Sequence, residues 1–163
     1  MIPTAYVWSP FGWFELTGTE YGLQSVRLRE EMRTPPTADV PPVLAEAVQQ
    51  LTEYFDGDRR VFRLKLDWTD APEFHKAVWE QLLAIPYGHT TSYKAIAERL
   101  GDVKSVRAVG QANRRNPIAI IVPCHRVIAQ NGDLQGYFYG LNMKRALLAL
   151  ENPVSFAEQG ELF

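Results

Sequence analysis

Cysteine occurs once in the 163 residues, at Cys124, and only three histidines accompany it. One thiol excludes an internal disulfide, and scattered His residues give no zinc-site spacing, so neither a metal nor a cofactor is expected. No apolar run approaches membrane-spanning length, and no charged-then-apolar leader opens the chain. A cytoplasmic, reducing setting without membrane contact is therefore expected, which suits a free thiol. A surplus of positive charge is missing too: the formal net charge is −2, which argues against a generically basic nucleic-acid binder. Acidic residues are in turn missing from one stretch. Residues 103–132 hold Lys104, Arg107, Arg114, Arg115 and Arg126 without any Asp or Glu, whereas acids outnumber bases in residues 1–70. A cationic surface inside an acidic chain points to a directed anion contact, phosphate above all; a solvated helix face would mix the signs.

Residues 5–29 alternate apolar and polar around Gly12, Gly18 and Gly22, predicting short antiparallel strands at 5–8, 13–16 and 23–28. A proline-rich loop spans 34–42. A helix follows, with Leu44, Ala47, Val48, Leu51 and Phe55 as its buried stripe and Gly57 as its stop. Residues 61–66 alternate as a further strand. Asp70-Ala71-Pro72-Glu73 reads as a capping box opening a helix whose stripe is Phe74, Ala77, Val78, Leu82 and Ile85. Helices at about 92–100 and 104–114, joined by a turn at Gly101, suggest a helix-turn-helix. In the second of these, Arg107, Gly110, Gln111 and Arg114 share a face. Mid-helix Gly costs about 1 kcal/mol against Ala. Close approach of a nucleic-acid backbone explains it, with tight helix packing as the alternative. Residues 118–122 read as a buried strand, and Asn131-Gly132 as a hairpin turn. The last helix, 141–151, has Met143, Ala146, Leu147 and Leu150 as its stripe. Glu151 leans toward that side, where it needs a donor such as an imidazole N–H, unless the helix end is frayed and exposed.

Around Cys124 the chain reads Ile121-Val122-Pro123-Cys124-His125-Arg126-Val127. The thiol has three readings: buried filler, redox sensor or nucleophile. Pro123 fixes the backbone before the sulfur, and His125 and Arg126 place a base and a cation beside it, a setting that lowers a thiol pKa. These features favour the nucleophile, with the alternatives open on local grounds.

Pro123-Cys124-His125-Arg126-Val127, preceded by Asn116-Pro117, resembles the active-site signature of the O6-alkylguanine-DNA alkyltransferases (methylated-DNA–protein-cysteine methyltransferases). The likeness continues through Phe74, Val78-Trp79, Ile85-Pro86-Tyr87-Gly88, Thr91-Ser92-Tyr93 and Arg107-Ala108-Val109-Gly110. It closes with Gly136-Tyr137 and Leu147-Leu148-Ala149-Leu150-Glu151, covering roughly residues 70–151. The resemblance implies an α/β (α+β) protein: an N-terminal RNase H-like αβ scaffold at 1–69, a mostly helical, winged-helix-like DNA-binding and alkyl-transfer domain at 70–151, and a tail at 152–163.

It further implies direct reversal of O6-alkylguanine damage, and O4-alkylthymine damage with it, on a base flipped from double-stranded DNA. His125 would take the thiol proton through a water while Glu151 orients the imidazole, and Cys124 would receive the alkyl group irreversibly. Tyr93 would help protonate the leaving base and Asn116 would brace the cysteine turn. Arg107 would fill the gap in the duplex, with Lys104, Gly110, Gln111, Arg114, Ser92 and Arg126 as further DNA contacts. Tyr93, Pro123, Val127, Leu134, Tyr137, Phe138 and Tyr139 would form the substrate pocket, the Phe138 N–H facing O6 and Tyr139 narrowing the mouth. The recognition helix is expected in the minor groove, reading little sequence, with the protein a monomer, nucleoid-associated if bacterial. Gln159, Leu162 and Phe163 resemble the Gln-x-x-Leu-Phe peptide that docks on bacterial sliding clamps. The rivals are an alkyltransferase-like damage binder, which lacks the cysteine, a helix-turn-helix regulator, which would not need Cys124, His125 and Glu151 together, and a thiol hydrolase, which leaves the cationic helix unexplained.

Overall fold

The computed structural model describes residues 2–33, 39–134 and 136–155. The chain divides into two units, Met1–Thr69 with Pro117–Ala119, and Asp70–Asn116 with Ile120–Phe163. In the first, three strands form an antiparallel meander: β1 (Thr4–Ser9), β2 (Gly12–Thr19) and β3 (Gly22–Arg29). Alternation decides which face is buried. Ala5 and Val7 pair with Leu16 and Phe14, and Leu16 with Val26, so all five apolar side chains lie on one face and are buried. Helix α1 (Ala45–Phe55) covers that face, Phe55 stacking on Phe14 at 5.6 Å between ring centroids.

Two expectations in this unit are corrected. The buried side of α1 is Ala47, Gln50, Leu51 and Tyr54, rotated from the predicted stripe, with Val48 and Phe55 only half-buried. Gln50 turns inward because its amide serves the backbone of Arg63, donating to the carbonyl at 3.3 Å and accepting from the N–H at 2.9 Å. The same contacts explain why residues 61–66 are no strand. Their backbone is held by a side chain, and only Leu66 bridges to the sheet, parallel to Leu23. The 34–38 part of the predicted proline-rich loop lies outside the described residues.

The second unit holds α2 (Glu73–Leu83), α3 (Tyr93–Arg99), α4 (Val106–Arg114), α5 (Leu141–Glu151) and a parallel pair, β4 (Thr91–Ser92) with β5 (Val127–Ile128). Helix α3 is capped by the Ser92 hydroxyl, which accepts from the Ala95 N–H at 3.0 Å. It ends before Gly101, whose φ of +85° allows the reversal into a 3-10 turn capped by Asp102. Helix α4 then buries Val109, Ala112 and Asn113 and leaves Arg107, Gln111 and Arg114 exposed. Trp79 of α2 fixes that orientation by donating its indole N–H to the Ala112 carbonyl at 2.8 Å.

Several local expectations fail here for identifiable reasons. The α2 N-cap is Pro72, without a side-chain cap bond, so the capping box does not form; Phe74 is 38 % exposed, and the buried face runs through Val78, Trp79 and Leu82. Residues 118–122 are buried but not a strand, because the chain turns at Ile120, which has a φ of +72°. The Asn131-Gly132 segment turns, with Ala129 N–H donating to the Asp133 carbonyl at 2.8 Å, yet among the described residues no hairpin arm returns. Val127–Ile128 pairs instead with Thr91–Ser92. On α5 the buried set is Met143, Lys144, Leu147, Leu148 and Glu151, and Ala146 is exposed.

Candidate active site around Cys124

The cysteine turn is built from backbone bonds that its own neighbours supply. Asn116 donates its side-chain N–H to the Val122 carbonyl at 2.8 Å, and the Cys124 N–H donates to the same carbonyl at 2.8 Å. Pro123 sits at φ −82° and ψ 66°, the inverse γ-turn conformation that its ring favours. A single 3-10 turn, Cys124–Arg126, follows, and Asn113 of α4 donates to the Cys124 carbonyl at 3.3 Å.

His125 is fully buried, and its Nε2 lies 2.6 Å from Glu151 Oε2. Arg126 grips the same carboxylate with two donors, Nε to Oε1 at 2.7 Å and an η nitrogen to Oε2 at 3.1 Å, and its other η nitrogen donates to the Ile85 carbonyl at 2.8 Å. Its guanidinium also lies 5.7 Å from the centroid of the Tyr87 ring. Burial by itself would raise the Glu151 pKa, but His125 and Arg126 outweigh it and hold the carboxyl at about 2. Burial lowers the His125 pKa despite Glu151. The consistent assignment is a carboxylate charge-paired with Arg126 and a neutral imidazole donating Nε2–H to it. That tautomer leaves Nδ1 as an acceptor, and Nδ1 has no partner among the described residues.

Two expectations change as a result. Arg126 does not face solvent as a phosphate contact, being 6 % exposed and committed to Glu151. The thiol is not acidified by its surroundings on balance. Burial raises the Cys124 pKa, against the opposing pull of the Asn116 side chain, Lys144 and Tyr137. A base beside the sulfur therefore matters more than the sequence implied.

A cleft of about 810 Å³ runs along α4, walled by Tyr93, Lys104, Arg107, Gly110, Gln111 and Arg114. None of the three cations has an ion pair among the described residues. A Cβ at Gly110 would meet only the Tyr93 ring, at 3.9 Å, so helix packing does not demand glycine there. Cys124 is 7 % exposed and is not among the lining residues, but Tyr93 belongs to the cleft and feels the thiol's charge. Burial and then Cys124 raise the Tyr93 pKa, with Arg114 and Asn113 opposing. The structure thus brings Cys124, His125, Glu151, Asn116, Tyr93 and Tyr137 together, and gathers Lys104, Arg107, Gly110, Gln111 and Arg114 on one wall. Ser92 serves as a helix cap. Pro123, Val127 and Leu134 are buried, Tyr137 and Tyr139 are half-buried with edge contact at 5.8 Å, and the Phe138 side chain is 66 % exposed. Sequence reasoning missed Asn113 and Lys144. The signal for Lys144 was present, since it lies three residues before Leu147 and seven before Glu151 on the buried side of α5. Among the described residues no group of His, Cys, Asp and Glu could hold a metal.

Fold and site together define a two-unit αβ protein whose single thiol adjoins a carboxylate-backed imidazole and a helix-turn-helix with a cationic wall. Comparison with known proteins is specific. The family model for the DNA-binding domain of 6-O-methylguanine DNA methyltransferase matches residues 73–153, and that for its ribonuclease-like domain matches residues 2–68. The chain belongs to the 6-O-methylguanine DNA methyltransferase family. It is 46% identical over 147 residues to the methylated-DNA–protein-cysteine methyltransferase of Methanosarcina acetivorans, covering 88% of this chain and 94% of that protein. It is 45% identical to the Mycolicibacterium paratuberculosis protein of the same name, covering 93% of each. Among solved structures, Mycobacterium tuberculosis OGT in complex with DNA is similar at a TM-score of 0.81 and 45% identity, covering 97% of this chain and 98% of that one. The fold class expected from the sequence is the one observed.

Proposed function

We propose that this chain repairs O6-alkylguanine in double-stranded DNA by moving the alkyl group to Cys124, once per molecule. The observation that carries the reading is the Cys124-His125-Glu151 arrangement. Glu151, charged by Arg126, fixes the imidazole tautomer, and the acceptor Nδ1, on the residue that follows the thiol in the chain, is left without a partner among the described residues. The thiol proton passes to Nδ1, through a water where the distance requires one. Sγ then attacks the alkyl carbon, the S–C bond forms as the C–O6 bond breaks, and the electron pair stays with the leaving guanine. Tyr93, at the junction of cleft and thiol, supplies a proton to that base. Asn116 holds the turn that aims the sulfur. Lys104, Arg107, Gln111 and Arg114 hold the duplex through its minor groove, Gly110 lets the backbone approach, and Arg107 fills the space of the flipped nucleotide. Residues 1–69 serve as scaffold, and the protein acts as a monomer in the cytoplasm. The S-alkyl thioether has no leaving route, so the reaction is stoichiometric.

The test is to incubate the protein with duplex DNA carrying O6-methylguanine and weigh it intact. A gain of one methyl, lost in Cys124→Ala, is expected. Binding without mass gain would select a damage sensor, and turnover of an ester would select a hydrolase. The terminal Gln159, Leu162 and Phe163 lie outside the described residues. Their match to the clamp-docking peptide supports a second contact, with a bacterial sliding clamp. Removing Leu162 and Phe163 is expected to abolish binding to immobilised clamp, and unchanged binding would end that reading.

A further inference from the structure

Residues 61–66 use only one of their two backbone edges. Arg63 gives its N–H to the Gln50 side chain at 2.9 Å and receives the Gln50 amide on its carbonyl at 3.3 Å. The Lys65 carbonyl accepts from the Leu23 N–H at 2.9 Å, and the Asp67 N–H donates to the Leu23 carbonyl at 2.8 Å. The Val61 carbonyl accepts from Arg59 at 2.8 Å. Each of these segment groups belongs to an odd-numbered residue. The N–H and carbonyl of Phe62, Leu64 and Leu66 have no hydrogen bond among the described residues. Side chains alternate in step, with Val61, Arg63 and Lys65 exposed and Phe62, Leu64 and Leu66 half-buried. Both alternations have the period of an extended chain. The even-numbered groups therefore lie along one free edge, on the side away from Gln50 and β3.

A free edge is a template for another extended chain, and its charge decides which chain it admits. Residues 59–66 contain no acid, and Arg63 and Lys65 form no ion pair among the described residues. Glu20 and Glu46 share a groove of about 610 Å³ with them but stay beyond ion-pairing distance. A second copy laid antiparallel would set these cations against their own counterparts, and like charges facing each other across strands repel. A strand of opposite charge meets no such penalty.

We propose that residues 61–66 are a docking edge for an acidic, extended polypeptide segment of another protein. The segment adds as a strand, its backbone pairing with Phe62, Leu64 and Leu66 while carboxylates at alternate positions meet Arg63 and Lys65. This gives the first unit a partner of its own, independent of Cys124 and of the cleft along α4.

The probe is a labelled peptide of alternating Val and Glu, long enough to span 61–66 and titrated into the full chain. The control is the same peptide with Lys in place of Glu. The acidic peptide is expected to bind, the Lys peptide not, and hydrogen exchange at the Phe62, Leu64 and Leu66 amides is expected to slow on binding. Arg63→Glu combined with Lys65→Glu changes exposed side chains only, and is expected to weaken the acidic peptide by about tenfold. Methyl transfer by that variant should match the parent, so failure of the docking edge and failure of the repair reading are told apart. Binding that leaves the three amides exchanging as in the free protein would be ion pairing alone and would overturn strand addition. Absence of binding, or unaltered binding in the doubly substituted chain, overturns the proposal as well. Loss of duplex DNA affinity in that chain would assign the two cations to phosphate instead. A dimer of the protein alone that protects the same amides would make a second copy the occupant, again against the proposal.

Discussion

Glu151 has two partners that want different things from it. Arg126 needs a charge, and His125 needs an acceptor. One ionised carboxylate satisfies both, and the pH dependence of stability follows. The folded-state pKa of Glu151 is depressed from 4.5 to about 2, so its stabilisation is complete above about pH 4.5 and is lost as pH falls through 2. His125 is also depressed below its ordinary 6.5, because the fold resists protonating it; stability therefore starts to fall once pH drops below 6.5. Urea unfolding as a function of pH is expected to show both declines. Glu151→Gln should remove the lower one and cost about 3–5 kcal/mol at pH 7, since Arg126 is then buried without a counter-charge. An unchanged acid limb in that variant would contradict the pairing.

Helix α4 shows what one position contributes to an element. Gly110 lies in the middle of a helix, where it is the least favourable residue after proline, yet a methyl group there would touch only the Tyr93 ring at ordinary distance. Gly110→Ala is therefore expected to raise stability, by up to about 1 kcal/mol, while weakening affinity for duplex DNA. Thermal unfolding and a DNA-binding titration on the same sample check both halves, and unaltered DNA affinity would return Gly110 to a packing role. The three strands and the helix-turn-helix were legible because their periodicity matches their burial. The segments at 61–66 and 118–122 were not. Their alternation or apolarity is real, but the backbone partners are the Gln50 side chain in one case and a turn at Ile120 in the other.

At the scale of the whole molecule, a chain of net charge −2 presents Lys104, Arg107 and Arg114 together on one cleft. Binding to DNA is expected to weaken steeply with salt and to vary little with sequence. Replacing any one of the three by Ala should lower the slope of log affinity against log salt by about 1. A slope that stays the same in all three variants would place the DNA elsewhere.

The sequence by itself singled out the thiol proposed to react, its imidazole neighbour, the carboxylate that backs it and the cationic face of α4. Each is carried by a short motif or by a periodic stripe, which local spacing preserves. Only the tertiary structure decided which cation serves which anion. Arg126, two residues beyond the thiol in the chain, turns to Glu151, and Lys144, twenty residues beyond Cys124, spends its buried ammonium on the Val127, Leu134 and Gly136 carbonyls. Charge acts through space rather than along the chain, and the three residues of a 3-10 turn point their side chains in three different directions.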